Sequence, residues 1–164
     1  MNRFYTTLLM TLLTVSVTFA QSVTEPGNNI SKSITQMRIE FPQLRYIQTD
    51  EKGALYEDGY PQDGIAVFFY VKNNLVVEEF MIVQSADRFP RLWFDEMAKS
   101  LYNYSAAYSV NSFNSHHWCY STFQIHLIYV SENGINTAMI VYEKGGYRTG
   151  ISQQAFYDKY KSNR

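Results

Sequence analysis

One cysteine, Cys119, stands in a chain of 164 residues, so no internal disulfide can form and stability has to come from packing and backbone pairing. That excludes disulfide-stapled toxin and growth-factor types. Clustered positive charge is also missing: 14 Lys and Arg against 15 Asp and Glu are scattered, apart from Lys159, Lys161 and Arg164 at the end. Phosphate backbones need grouped cations, so nucleic acid is not an expected partner. No apolar run is long and uncharged enough to span a bilayer, which takes about 20 residues. The longest runs, Ile65–Val71 and Leu75–Val83, contain or adjoin charges. No Gly-x-Ser-x-Gly elbow, His-Glu-x-x-His pair or nucleotide loop occurs, and Gly145-Gly146 lacks the spacing and lysine of a phosphate cradle. The familiar hydrolase and metalloprotease signatures are therefore absent, and no cofactor is expected.

The first twenty residues are the most telling segment that is present. Asn2 and Arg3 precede an apolar run from Leu8 to Val17, and Thr18-Phe19-Ala20 reads as a small-x-small cleavage site. This is the pattern of a secretory signal peptide, residues 1–20, cut after Ala20. The residue after the cut is Gln21, whereas a bacterial lipoprotein would carry a cysteine there. The expected product is soluble, periplasmic or extracellular, without lipid or membrane insertion. Residues 21–29, with Pro26 and Gly27, read as a flexible leader, and residues 30–164 as a single α+β domain.

Within that domain, Ile30, Ile34, Met37 and Phe41 recur at helical spacing, with Asn29 or Ser31 as N-cap and Pro42 as the stop. Residues 44–49 and 54–57 alternate as a hairpin, and the stretch from Asp58 to Gly64 is dense in turn residues. Two β-branched and aromatic runs, 64–71 and 75–84, meet at Asn73-Asn74. Asp87 can cap a second helix whose apolar stripe is Phe89, Trp93, Met97 and Leu101. Residues 104–115 show no period. Runs 122–131 and 135–144 form a hairpin around Asn133-Gly134, and a tail helix from Ser152 puts Phe156 and Tyr160 on one face.

Hairpin connections imply an α+β fold: a mainly antiparallel sheet of about six strands, two main helices packed on one face, and a short C-terminal helix. The helix-plus-meander order of the first half resembles cystatin-like domains in fold alone, since the inhibitor pattern Gln-x-Val-x-Gly is absent. Phe41-Pro42-Gln43-Leu44 and Phe89-Pro90-Arg91-Leu92 look alike, but one ends a helix and the other begins one, so chance explains them better than duplication.

Two sets of side chains carry chemistry. The first is aromatic: Tyr104, Tyr108, Phe113, Trp118 and Tyr120 lie in or beside the irregular segment, where exposed rings could hold a partner protein, peptide or surface carbohydrate. Folding back as a lid on the sheet is the alternative for these rings. The second is His116-His117-Trp118-Cys119. In extended backbone His117 and Cys119 share a face about 6–7 Å apart at Cα, within reach of a thiolate–imidazole pair or a bridging metal. A further ligand would have to be His126, arriving from the next strand. An isolated cysteine is more often a small buried hydrophobe. Glu78 and Glu79 sit next to each other in an apolar strand, so alternation sends one carboxylate to each face, and burial of either would raise its pKa. The leading expectation is a non-enzymatic binding module working through residues 104–120 and the adjoining sheet face. The alternative is a small hydrolase or metal-dependent enzyme using His117, Cys119 and a strand carboxylate.

Overall fold

The structure, a computed structural model, describes residues 29–60 and 64–161. The signal peptide, nearly all of the leader and the centre of the 58–64 loop lie outside the described residues. Among the described residues no helix is long and apolar enough to cross a membrane.

The first helix, α1 (Ile34–Glu40), begins at Ser33, which closes a capping box with Gln36: the Gln36 amide donates to Ser33 Oγ and the Ser33 amide to Gln36 Oε1. This start is later than the expected Asn29 or Ser31. The residues before it pair with a strand instead, as Ser31 N donates to Val76 O and Val76 N to Lys32 O, with Ser31 at φ 73°. Four strands follow as a meander, β1 (Arg45–Thr49), β2 (Ala54–Tyr60), β3 (Ile65–Lys72) and β4 (Leu75–Ser85). Asn73 and Asn74 take positive φ at the β3–β4 turn, which asparagine tolerates better than other side chains do.

Helix α2 (Phe89–Leu101) is entered through Asp87, whose Oδ1 accepts the Phe89 amide at 2.7 Å. Its buried face is Pro90, Phe94, Met97, Ala98 and Leu101, whereas Phe89 is exposed and Trp93 half-buried. A row spaced strictly by four advances 400° per step and drifts about 40° around the helix, so four members cannot stay on one face. A second meander follows: β5 (Tyr108–Asn111), β6 (Ser115–Cys119), β7 (Phe123–Glu132) and β8 (Ile135–Lys144), with Asn133 and Gly134 at positive φ in the last hairpin. Helix α3 (Gln153–Lys161) closes the described chain.

The strands form one antiparallel sheet in the order β1-β2-β3-β4-β8-β7-β6-β5. The expectation of about six strands with two main helices on one face is corrected. Among the described residues there are eight strands and three helices, and the third helix lies on the face opposite α2. Of the two added strands, β5 comes from the stretch that showed no period and β6 from the run through His116–Cys119 that follows it. Their turn, Ser112-Phe113-Asn114, has no glycine, and β5 is four residues long, so neither local signal existed. Pairing with β7 and burial of Trp118 and Cys119 hold them in place.

Strand register assigns each face. On one, Met81, Ile125, Leu127, Ala138, Ile140, Trp118 and Tyr120 pack with Phe94, Met97, Ala98 and Leu101 of α2. Met37 of α1 extends this layer over Phe69, Val71 and Val76. On the other face, Val110 and Cys119 receive Phe156 of α3. The sheet is thus the middle layer of three on its β5–β7 side.

Candidate functional site

The five aromatic candidates do not converge. Trp118 and Tyr120 are 2% and 9% exposed and belong to the core under α2; Tyr120 stacks on Phe123. The Tyr120 hydroxyl is buried with no hydrogen-bond partner, and burial pushes its pKa up to about 12, which keeps the phenol protonated. Tyr108 points to the opposite face, edge-on to Tyr147 and tilted against Phe156. Tyr104 lies at the surface between α2 and β5. Phe113 is 78% exposed at the tip of the β5–β6 turn. Register separates Tyr108 from Trp118, because Tyr108 pairs with Cys119 and so leaves the sheet on the face opposite Trp118.

Around Phe113, however, distant stretches meet. The Arg91 guanidinium sits 4.3 Å from the Phe113 ring centroid and 5.1 Å from those of Phe94 and Tyr129, so three rings hold one cation. Arg91 Nη1 donates to Asn114 Oδ1 at 3.0 Å, and Nη2 lies 3.2 Å from Asp95 Oδ1. Beside it opens a cleft of about 510 Å³ lined by Arg88, Arg91, Leu92, Tyr129 and Asn136. The floor is fixed, since Tyr129 Oη donates to Asn136 Oδ1 and Asn136 Nδ2 donates to the Asp87 carbonyl at 2.6 Å. Leu92 is 62% exposed at its rim, and Arg88 has no ion pair among the described residues. Apart from Phe113 these residues carried no site signal. The cleft is lined by the start of α2 and the β7–β8 hairpin, with the β5–β6 turn on Arg91 beside it, and no local pattern connects the three.

The histidine and cysteine candidates occupy the opposite face. His117 and His126 are directly paired across β6 and β7, and their Nδ1 atoms lie 3.1 Å apart. Tyr160 of α3 stacks on His117 with centroids 4.2 Å apart, and its hydroxyl is 3.2 Å from His126 Nε2. Glu143 Oε2 stands 3.5 Å from the same Nε2, and Lys159 closes the rim 3.9 Å from Glu143. Burial, with the adjacent His126, His116 and Lys159, lowers the His117 pKa to about 4, while the His126 contact and Lys159 hold Glu143 below its ordinary value. At pH 7 His117 is therefore neutral, and Glu143, which faces His126, is ionised.

Cys119 shares this face but is fully buried, and its thiol contacts the Tyr120 carbonyl at 3.7 Å. Burial pushes the thiol pKa up, the reverse of what activates a nucleophile. The two carboxylates part as alternation requires: Glu78 pairs with Lys52 at 3.2 Å on the His face, while Glu79 lies on the helix face and accepts from Asn29 Nδ2 at 2.9 Å. Burial raises the Glu79 pKa. Neither carboxylate hydrogen-bonds to His117 or Cys119. Among the described residues no group of three His, Cys, Asp or Glu side chains is arranged to hold a metal ion. A search of family models, curated proteins and solved structures finds no match to this chain.

Proposed function

We propose that the chain is a non-enzymatic binding module that holds a partner protein or peptide at the Arg88–Arg91 cleft. The observation that carries this reading is the ring-held Arg91 at the edge of an open cleft, with Phe113 and Leu92 exposed beside it. Arginine and aromatic rings are the residues that most often anchor interfaces, and a cleft of this size suits a few side chains of a partner. Arg88 without an ion pair adds positive potential, so the segment bound combines an apolar side chain with a carboxylate. Phe113 and Asn114 are the contribution of the 104–120 segment to this surface. The signal-peptide pattern of residues 1–20 supports an encounter outside the cytoplasm.

The enzyme alternative has less support, because its cysteine is buried with a raised pKa and its histidines face each other beneath a helix. The test is peptide display against residues 21–164, followed by affinity measurement on the selected peptides. Selected sequences should pair acidic with apolar residues. Phe113→Ala and Arg88→Glu should each weaken binding about tenfold or more, a loss of about 1.4 kcal/mol, while Cys119→Ser leaves it unchanged. Equal affinity in all three variants, or binding of glycans and not peptides on an array, overturns the proposal.

A further inference from the structure

The His117–His126 pair lies apart from the cleft, beneath α3, the one helix on its face among the described residues. Its geometry defines how many protons it can hold. Either His126 Nε2–H faces Glu143, 3.5 Å away, and a bare Nδ1 faces His117, or the Tyr160 hydroxyl donates to a bare His126 Nε2 and Nδ1–H faces His117. In both arrangements one Nδ1 donates to the other. One added proton, on either ring, still leaves one bare nitrogen that the contact can use after a tautomer shift. Two added protons leave none, and two N–H groups cannot face each other at 3.1 Å.

We propose that this pair is an acid-sensitive clasp: double protonation of His117 and His126 forces the rings apart and releases helix α3 from the sheet. The backbone cannot take up the strain, because the two residues are ladder partners in adjacent strands inside the sheet. The rings turn outward instead, into the place of Tyr160, which stacks on one and bonds the other. Beyond the histidine pair, α3 is held by Phe156 packing on Val110 and Cys119, by Tyr157 and Tyr160 beside them, and by Lys159, 3.9 Å from Glu143.

The charges around the pair set the direction. Lys159 and Tyr160 face it from α3, Glu143 from β8, and Cys119 and Tyr108 flank it on β6 and β5. His116 acts from the far side of β6, while Glu78 and Lys52 act on Lys159 and Glu143 from further along the face. Glu143 alone favours a cation, and its protonation in acid removes that support. The geometry therefore opens only in acid, where His117, lowered to about 4 by burial, takes up its proton.

Hydrogen exchange of the whole mature chain, read residue by residue and corrected for intrinsic rate, tests this. Between about pH 6 and about pH 3 the protection of α3 amides should fall at least tenfold while the central strands β4 and β8 keep theirs. In a His117→Gln/His126→Gln variant, where amides replace the titrating rings, α3 protection should not change over that range. Simultaneous loss in α3 and the central strands, or the same acid response in the variant, overturns the clasp. Should the variant not fold, ring ¹⁵N shifts of the wild-type histidines decide: at pH 7 one ring must show a protonated Nδ1 and the other a bare Nδ1. Two rings both bare at Nδ1, or two rings titrating independently, refute it.

Discussion

The two halves of the sheet repeat one order of elements, a helix followed by a four-strand meander, and meet where β4 pairs with β8. What covers each half is different. Helix α1 has 7 residues and buries only Met37, over a small cluster of Phe69, Val71 and Val76. Helix α2 has 13 residues and buries five, over a cluster that takes in most of the central strands. The outer strands differ as well. All five residues of β1 are exposed, and a bulge at Ile47 interrupts its register, which blunts an open edge. Its counterpart β5 is covered on one face by α3, which buries Val110. The same topology thus yields a thinly covered half and a half enclosed on both faces, and both the arginine cleft and the histidine pair belong to the second.

Removal of a core ring from the heavier half should break this asymmetry most. Phe94→Ala empties the centre of the α2 layer and should cost about 3–5 kcal/mol, measured by chemical denaturation. Acid comes next. A histidine whose folded pKa is about 4 and unfolded pKa 6.5 binds protons preferentially when unfolded. Its effect on stability is absent above about pH 6.5, grows as pH falls, and is complete below about pH 4, at about 3 kcal/mol. Denaturation midpoints across that range should fall accordingly, and His117→Gln should flatten the fall. Met37→Ala should cost about 2–3 kcal/mol, toward the low end for such truncations because the short α1 can settle onto the sheet. Its exchange signature should stay within α1, β3 and β4, and spread into β7 would show the halves to be one cooperative unit. The smallest effect belongs to Ser33→Ala, which removes half of the capping box and should cost about 1 kcal/mol. Fraying seen only in α1 would sharpen the contrast between the halves.

Much of the strand pattern was legible because it was local. The runs at 65–71 and 75–83 are β-branched and aromatic, and Asn73-Asn74 and Asn133-Gly134 supply the backbone their hairpins need. The α2 region was legible as a helix but not as a face, since a row of every fourth residue hides the drift that puts Phe94 inside and Phe89 outside. Strands β5 and β6 were not legible. Ser, His and Asn are weak strand formers, and what makes Ser115–Cys119 a strand is the neighbouring β7 ladder. The resemblance of the two Phe-Pro segments marks no equivalence either. One follows α1 and the other opens α2, so they fall at different points of the repeated helix-and-meander order.

The sequence by itself determined the class of protein: a chain without disulfides, built of amphipathic segments and hairpins, that folds as α+β with an antiparallel sheet. It also determined that Glu78 and Glu79 face opposite ways, and likewise His116 and His117, because alternation is a property of the strand alone. Which of these groups meet was decided only in three dimensions. His126, Glu143 and Tyr160 join His117 through register and helix docking, and Arg91 meets Phe113 and Tyr129 through the crossing of three elements. Contacts between residues far apart in the chain depend on how layers stack and strands order, and no local pattern encodes them.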